Sequence, residues 1–262
     1  MSEDTISESV ERRLKNLRVF NVVVGLVLLL QGILMFFLSN DFALPVTTQY
    51  LGRGTGRSFP IPVDRTAGSL RIGPMVALFL LLSGIALLLM AAPRINDWYR
   101  KNLLKGANYG RWIEYSITAS LMIVVIAMLS GIYDLSTLIL LFFMNAMMIL
   151  FGWMMELHNQ TTEKTDWTAF IFGCIAGAVP WVIIWLYFIS AAADPTSKMP
   201  GFVYGIMFSL FIFFNIFAVN MVLQYKKVGP WKDYLFGEKV YIILSLVAKS
   251  LLAWQVFFGT LR

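Results

Sequence analysis

The sequence predicts an all-α membrane protein, a bundle of seven transmembrane helices with a long outer loop between the first two. Three observations carry that reading. Hydrophobic residues make up 58% of the 262 positions and charged residues only 14%, against about 25% charged in soluble domains. The apolar residues fall into seven runs, each near the roughly 20 residues that cross a hydrocarbon core about 30 Å thick. The connectors are short, so residues 1–262 form a single membrane domain with no room for a soluble one.

The spans are placed at Arg18–Leu38, Pro74–Ala92, Ala107–Ile132, Leu135–Leu157, Trp167–Ile189, Phe202–Leu223 and Glu238–Gly259. The first follows a polar stretch with Arg12, Arg13, Lys15 and Arg18. No small-residue cleavage site ends it, so no cleavable signal peptide is expected. The connector Asn40–Arg71 is the one long loop. Threonine-rich and proline-rich flanks around Gly52–Gly56 predict a β-hairpin with a glycine turn. The single cysteine, Cys174, lies in span five and cannot form an intrachain disulfide.

Lysine and arginine orient the bundle. With seven spans, the N-terminus shares a side with connectors two–three, four–five and six–seven. That side carries fourteen basic residues and the other six, with Lys249 inside a span. The positive-inside rule then puts the N-terminus in the cytoplasm and the C-terminus outside. The sequon Asn159-Gln160-Thr161 falls on the cytoplasmic side and is expected to be a chance match. The net charge of +6 fits attraction to anionic lipid rather than to nucleic acid.

Two charges stand out inside the spans. Lys249 is the only charge between Val240 and Phe258, and an unpaired ammonium there costs roughly 2.5–3.5 kcal/mol on insertion scales. Glu114 comes early in span three, about 10–13 Å along its helix, and Lys249 lies at about 16 Å depth. Asp134 and Glu156 fall at span ends, where solvated positions are expected, and Glu238 lies in a connector or at a helix start.

The Glu114–Lys249 pair has three readings. It is an ion pair that fixes packing, part of a proton or ion relay in a transporter or channel, or a Schiff-base lysine with its counter-ion. A relay needs several groups in series, and span three carries no acid beyond Glu114. Helical spacing favours the Schiff base. Ser245 lies four residues before Lys249, and Tyr115, Thr118 and Met122 follow Glu114 around its helix. Asn145, Met148, Trp181, Phe213 and Phe214 are candidates to line an elongated apolar cavity. No catalytic triad or metal-ligand pattern is expected.

Seven spans, a lysine in the seventh and a carboxylate in the third resemble the microbial rhodopsins. Among them the heliorhodopsins are closest in pattern. The carrying segments are NDFALP at Asn40–Pro45, RWIEYS at Arg111–Ser116, ILFGW at Ile149–Trp153, FGCIAGAVPW at Phe172–Trp181, PGFVYG at Pro200–Gly205 and LSLVAKS at Leu244–Ser250. They cover nearly the whole chain. The inward N-terminus is the heliorhodopsin orientation, opposite to other microbial rhodopsins.

The resemblance implies all-trans retinal on Lys249 as a protonated Schiff base, with Glu114 as counter-ion. Ser245 stands where ion-pumping relatives carry a second aspartate. Tyr115 would flank the polyene, with Asn145 and Met148 beneath it, and Ser83 would join a cytoplasmic polar cluster. The family places histidines on the first two spans. Leu28 and Leu87 stand there instead, so a histidine proton acceptor does not carry over. The function implied is a light sensor without pumping, acting through a cytoplasmic signalling partner. The alternative is a light-independent or light-gated transporter or channel. The GxxxG pair Gly173 and Gly177 and the outer loop suggest a homodimer through spans four and five.

Overall fold

The computed structural model describes residues 3–53, 60–196 and 199–262. Among them are α1 (Glu3–Leu38), β1 (Ala43–Arg53), β2 (Pro60–Arg71), α2 (Ile72–Ala91), α3 (Pro93–Leu104), α4 (Tyr109–Leu129), α5 (Leu135–His158), α6 (Thr168–Ala193), α7 (Gly201–Tyr225) and α8 (Tyr234–Val256). All but α3 contain a stretch long and apolar enough to cross a membrane, giving the seven spans expected. The third span is therefore α4 and the seventh α8.

Two departures come from helices that continue outside the apolar region. α1 begins fifteen residues before Arg18. Its polar start still has one buried edge, with Leu14 and Leu17 inside, and Arg13 and Arg100 tie it to Asp233 and through Glu11. The connector Pro93–Leu104 is itself the helix α3. Proline opens it, where the missing N–H costs nothing, and Asn96, Tyr99 and Leu103 form its buried face. Apolar length alone finds neither, because both are amphipathic.

The termini of α4 follow local chemistry. Asn108 caps it, its side chain accepting from the Arg111 backbone N–H at 3.0 Å. Gly131, at φ +94°, turns the chain away just past its end. Asp134 is half-buried rather than solvated. It caps α5 by accepting from the Thr137 backbone N–H at 2.8 Å.

β1 and β2 form the expected antiparallel hairpin, with Ala43 opposite Arg71 and a bulge between Val46 and Thr47. Gly52 is in β1, while Gly54 and Gly56 of the expected turn lie outside the described residues. The hairpin is anchored at its base. Thr47 donates its N–H to the Tyr133 carbonyl at 2.8 Å, and the Asn40 N–H reaches the Leu261 carbonyl at 2.9 Å.

The GxxxG face of α6 packs inside the chain. A Cβ on Gly177 would meet the Met148 side chain, and one on Gly173 would meet Phe151 and the Met148 carbonyl at 3.2 Å. The small residues thus let α6 approach α5 of the same chain. Asn159 is also engaged. Its side-chain amide nitrogen donates to the carbonyls of Met155 and Asp166, at 2.9 and 3.0 Å.

Candidate functional site

Lys249 and Glu114 meet between α8 and α4. Lys249 Nζ is 2.7 Å from Glu114 Oε1, and the two side chains are 3% and 5% exposed. Lys249 Nζ also donates to Ser245 Oγ at 2.7 Å, the contact expected from i−4 spacing. Thr118 Oγ1 donates to Glu114 Oε1 at 2.7 Å, and the Ser83 hydroxyl of α2 donates to the same oxygen. Ser83 therefore serves the carboxylate itself. The Tyr115 ring lies 4.9 Å from Lys249 Nζ, and its hydroxyl donates to the Tyr241 carbonyl at 2.8 Å.

From Lys249 a cavity of about 460 Å³ runs between α4, α5, α6 and α7, within the roughly 300–1,000 Å³ usual for ligand sites. Of the residues singled out from sequence, Tyr115, Met122, Met148, Trp181, Phe214, Ser245 and Lys249 line it. Trp181 meets Phe214 edge-on at 5.3 Å and Phe211 at 5.2 Å. Glu114 and Thr118 stand beyond the amine rather than on the wall.

Two of the residues singled out for its walls do not line the cavity. Phe213 is not a wall residue; it is half-buried in the core, because it points about 100° around α7 from Phe214. Asn145 does not line the cavity either. It is spent between helices, donating to Ser120 Oγ at 3.1 Å. Sequence reasoning missed Phe217, Tyr241 and Ala248 among the walls. Phe217 follows Phe214 by three residues and Tyr241 precedes Ser245 by four, so the helical signal was present.

A second buried station lies toward the start of α4; it overturns the solvated placing of Glu156 and also buries Glu238. Both carboxylates face Arg111. Arg111 bonds Glu156 at 2.6 Å and also bonds Glu238, with all three side chains at most 4% exposed. Glu156 takes further donors from the Asn108 N–H at 3.0 Å, the Tyr234 hydroxyl at 2.9 Å and the Trp112 indole. Glu238 takes the Asn108 side-chain amide at 2.6 Å. The Arg111 guanidinium sits 3.9 Å from the Tyr241 ring centroid. Burial, with Glu238 close by, pushes the Tyr99 phenol of α3 well above its ordinary range. The missed signal is spacing. Arg111, Glu114 and Thr118 form one stripe on α4, and Glu238, Ser245 and Lys249 one stripe on α8.

These features fit retinal. A primary amine opens into an apolar, aromatic-lined cavity, and a carboxylate beside it can balance a cationic nitrogen. The residues that would hold the group are Lys249 at the linkage and Met122, Met148, Trp181 and Phe214 along the cavity.

Comparison with known proteins agrees. The sequence model of the heliorhodopsin family matches residues 17–261. No curated protein matches the chain. With this match spanning almost the whole sequence, the chain belongs to the heliorhodopsin family, membrane-embedded rhodopsins that bind retinal and sense light.

Proposed function

We propose that this protein is a light sensor in which all-trans retinal is carried by Lys249 as a protonated Schiff base, with Glu114 as its single counter-ion. The observation that carries the reading is the buried amine at the end of the aromatic cavity, 2.7 Å from one carboxylate. Retinal, when bound, supplies visible absorption and a light-driven isomerisation. The chain supplies the rest. Glu114 holds the positive charge at Nζ, Thr118 and Ser83 hold Glu114, and the aromatic walls exclude water. A change in cavity shape then biases the helices between two packings that a cytoplasmic partner can read.

Pumping is not part of the proposal. Beyond Glu114 the α4 segment Ile123–Ile126 is apolar and buried, and Ser245 supplies no second carboxylate. The N-terminus is placed in the cytoplasm on charge bias. Arg111 leaves that count for the buried cluster, yet thirteen basic residues still face six. A homodimer through α5 and α6 with hairpin contacts is also proposed. Its support is the hairpin and the family resemblance, since the GxxxG face is used internally. Mass measurement in lipid nanodiscs tests it, and monomers there would oppose it.

The central test is a visible spectrum of protein purified with retinal, followed by hydroxylamine. Visible absorption that bleaches is expected; a colourless protein would support the light-independent transporter. Light on proteoliposomes with a pH electrode should give no sustained protonophore-sensitive pH change. A photocurrent that reverses with the ion gradient would instead identify a channel.

A further inference from the structure

The Arg111 cluster holds two carboxylates for one guanidinium, so with both acids ionised it carries one uncompensated negative charge inside the bundle. The two acids are not equally satisfied. Glu156 accepts from four donors, namely Arg111, Trp112, Tyr234 and the Asn108 backbone. Glu238 accepts from two, Arg111 and the Asn108 amide. Glu238 is thus the acid with acceptor positions left open, and it is the one of the two that lines the small cavity shared with Glu114.

Glu238 also faces the Lys249 station. It shares the lining of a small cavity of about 20 Å³ with Glu114, Ser83, Tyr115, Ser245 and Arg111. That volume exceeds the roughly 10–15 Å³ that one water needs. One polar atom of a cavity-lining residue, Arg111 Nε, has no hydrogen-bond partner among the described residues, and such buried atoms are where ordered water is found. Glu238 and Lys249 are eleven residues apart on one face of α8, about 16 Å along the helix, so a transfer between them needs the intervening groups. The titratable groups around Glu238 are Arg111, Glu114, Glu156, Tyr99, Tyr115, Tyr225, Tyr234 and Tyr241. The high Tyr99 phenol stays protonated and offers no competing base.

We propose that Glu238 is the internal acceptor of the proton released from Lys249, reached through Glu114 and the small cavity. The inference rests on the Schiff-base reading above. The N–H bond at Lys249 Nζ breaks as an O–H bond forms on Glu114. That O–H breaks in turn as one forms on Glu238, and the sequence reverses in the dark. Tyr99 and Asn108, 2% and 3% exposed, close the cluster over, so the proton is stored and not released.

Light-minus-dark infrared spectroscopy of the pigment tests this. A carboxylic C=O band should appear as the Schiff base deprotonates, vanish in Glu238→Gln and persist in Glu156→Gln. Should Glu238→Gln fail to fold, Glu238→Asp should move the band in frequency. A band unchanged in either Glu238 variant overturns the proposal. A second arm uses retinal-free protein. Glu238 should show no carboxylic acid band at neutral pH, and a band there would overturn the proposal because the site would already be filled. If no pigment forms in wild-type protein, the Schiff-base reading fails; if pigment forms and deprotonates with the band elsewhere, only this inference fails.

Discussion

The two buried stations between α4 and α8 use the same chemistry in different proportions. At Lys249 one cation meets one carboxylate, and two hydroxyls complete that carboxylate. At Arg111 one cation meets two carboxylates, held by an indole, a phenol and an asparagine. The first is neutral and opens into the large cavity. The second holds one carboxylate more than it has cations, and all three side chains are buried. A balanced pair next to a cavity is suited to losing a proton, and an excess carboxylate in a sealed pocket is suited to keeping one. The stripes on α4 and α8 set the two stations apart along the bundle, with α5 adding Glu156 to the second.

The strongest way to break this comparison is to remove the amine. Lys249→Ala should yield protein that is colourless with retinal present, because the linkage is lost. Absorption that survives would move the chromophore to another residue. Next comes Arg111→Gln, which leaves two buried carboxylates with no cation. Breaking a buried pair costs about 3–5 kcal/mol, so the thermal midpoint in detergent should fall markedly. An unchanged midpoint would mean that the Glu156 and Glu238 donors suffice without the guanidinium.

The neutral station should respond less in stability and more in colour. Glu114→Gln removes the charge opposite Nζ while leaving a group that can still hydrogen-bond. The protonated Schiff base should then lose its proton, and the visible band, at lower pH than in wild type. Each pH unit of displacement corresponds to about 1.4 kcal/mol of lost pairing. A titration that superimposes on wild type would remove Glu114 from the counter-ion role.

Much of the neutral station was legible in the sequence, because Lys249 stands alone in an apolar run and its contacts follow i−4 geometry. Ser245 follows from spacing about Lys249, and Tyr115, Thr118 and Met122 from spacing about Glu114. The Arg111 station was not read, although Arg111, Glu156 and Glu238 were all noted. Glu156 and Glu238 lie near helix ends, where solvent is the default, and only the packing of α3 and the start of α8 over them removes the water. Phe213 and Asn145 failed for a related reason. Composition marks a residue as apolar or polar, but rotation about the helix decides what it meets. In the same way, the amphipathic α3 and the early start of α1 escaped a reading based on apolar length.

A carboxylate outside the bundle sets the lower end of the scale. Asp166, in the connector between α5 and α6, accepts from the Thr168 backbone N–H at 2.8 Å and faces His158 Nε2 at 3.2 Å. The Thr168 hydrogen bonds, with His158 adding less, hold its carboxyl below the usual aspartate range. A carboxyl lowered on folding stabilises the fold above its unfolded pKa, and that contribution fades as pH falls through the folded value. Water surrounds this site, so the contribution is screened and small. Asp166→Asn keeps an acceptor for Thr168 but cannot titrate. Its thermal midpoint should sit slightly below wild type at neutral pH and converge with it in acid. A gap that stays constant through acid would assign the loss to hydrogen-bond geometry rather than to charge. A gap as large as that of Arg111→Gln would undo the distinction between buried and solvated carboxylates on which the two-station comparison rests.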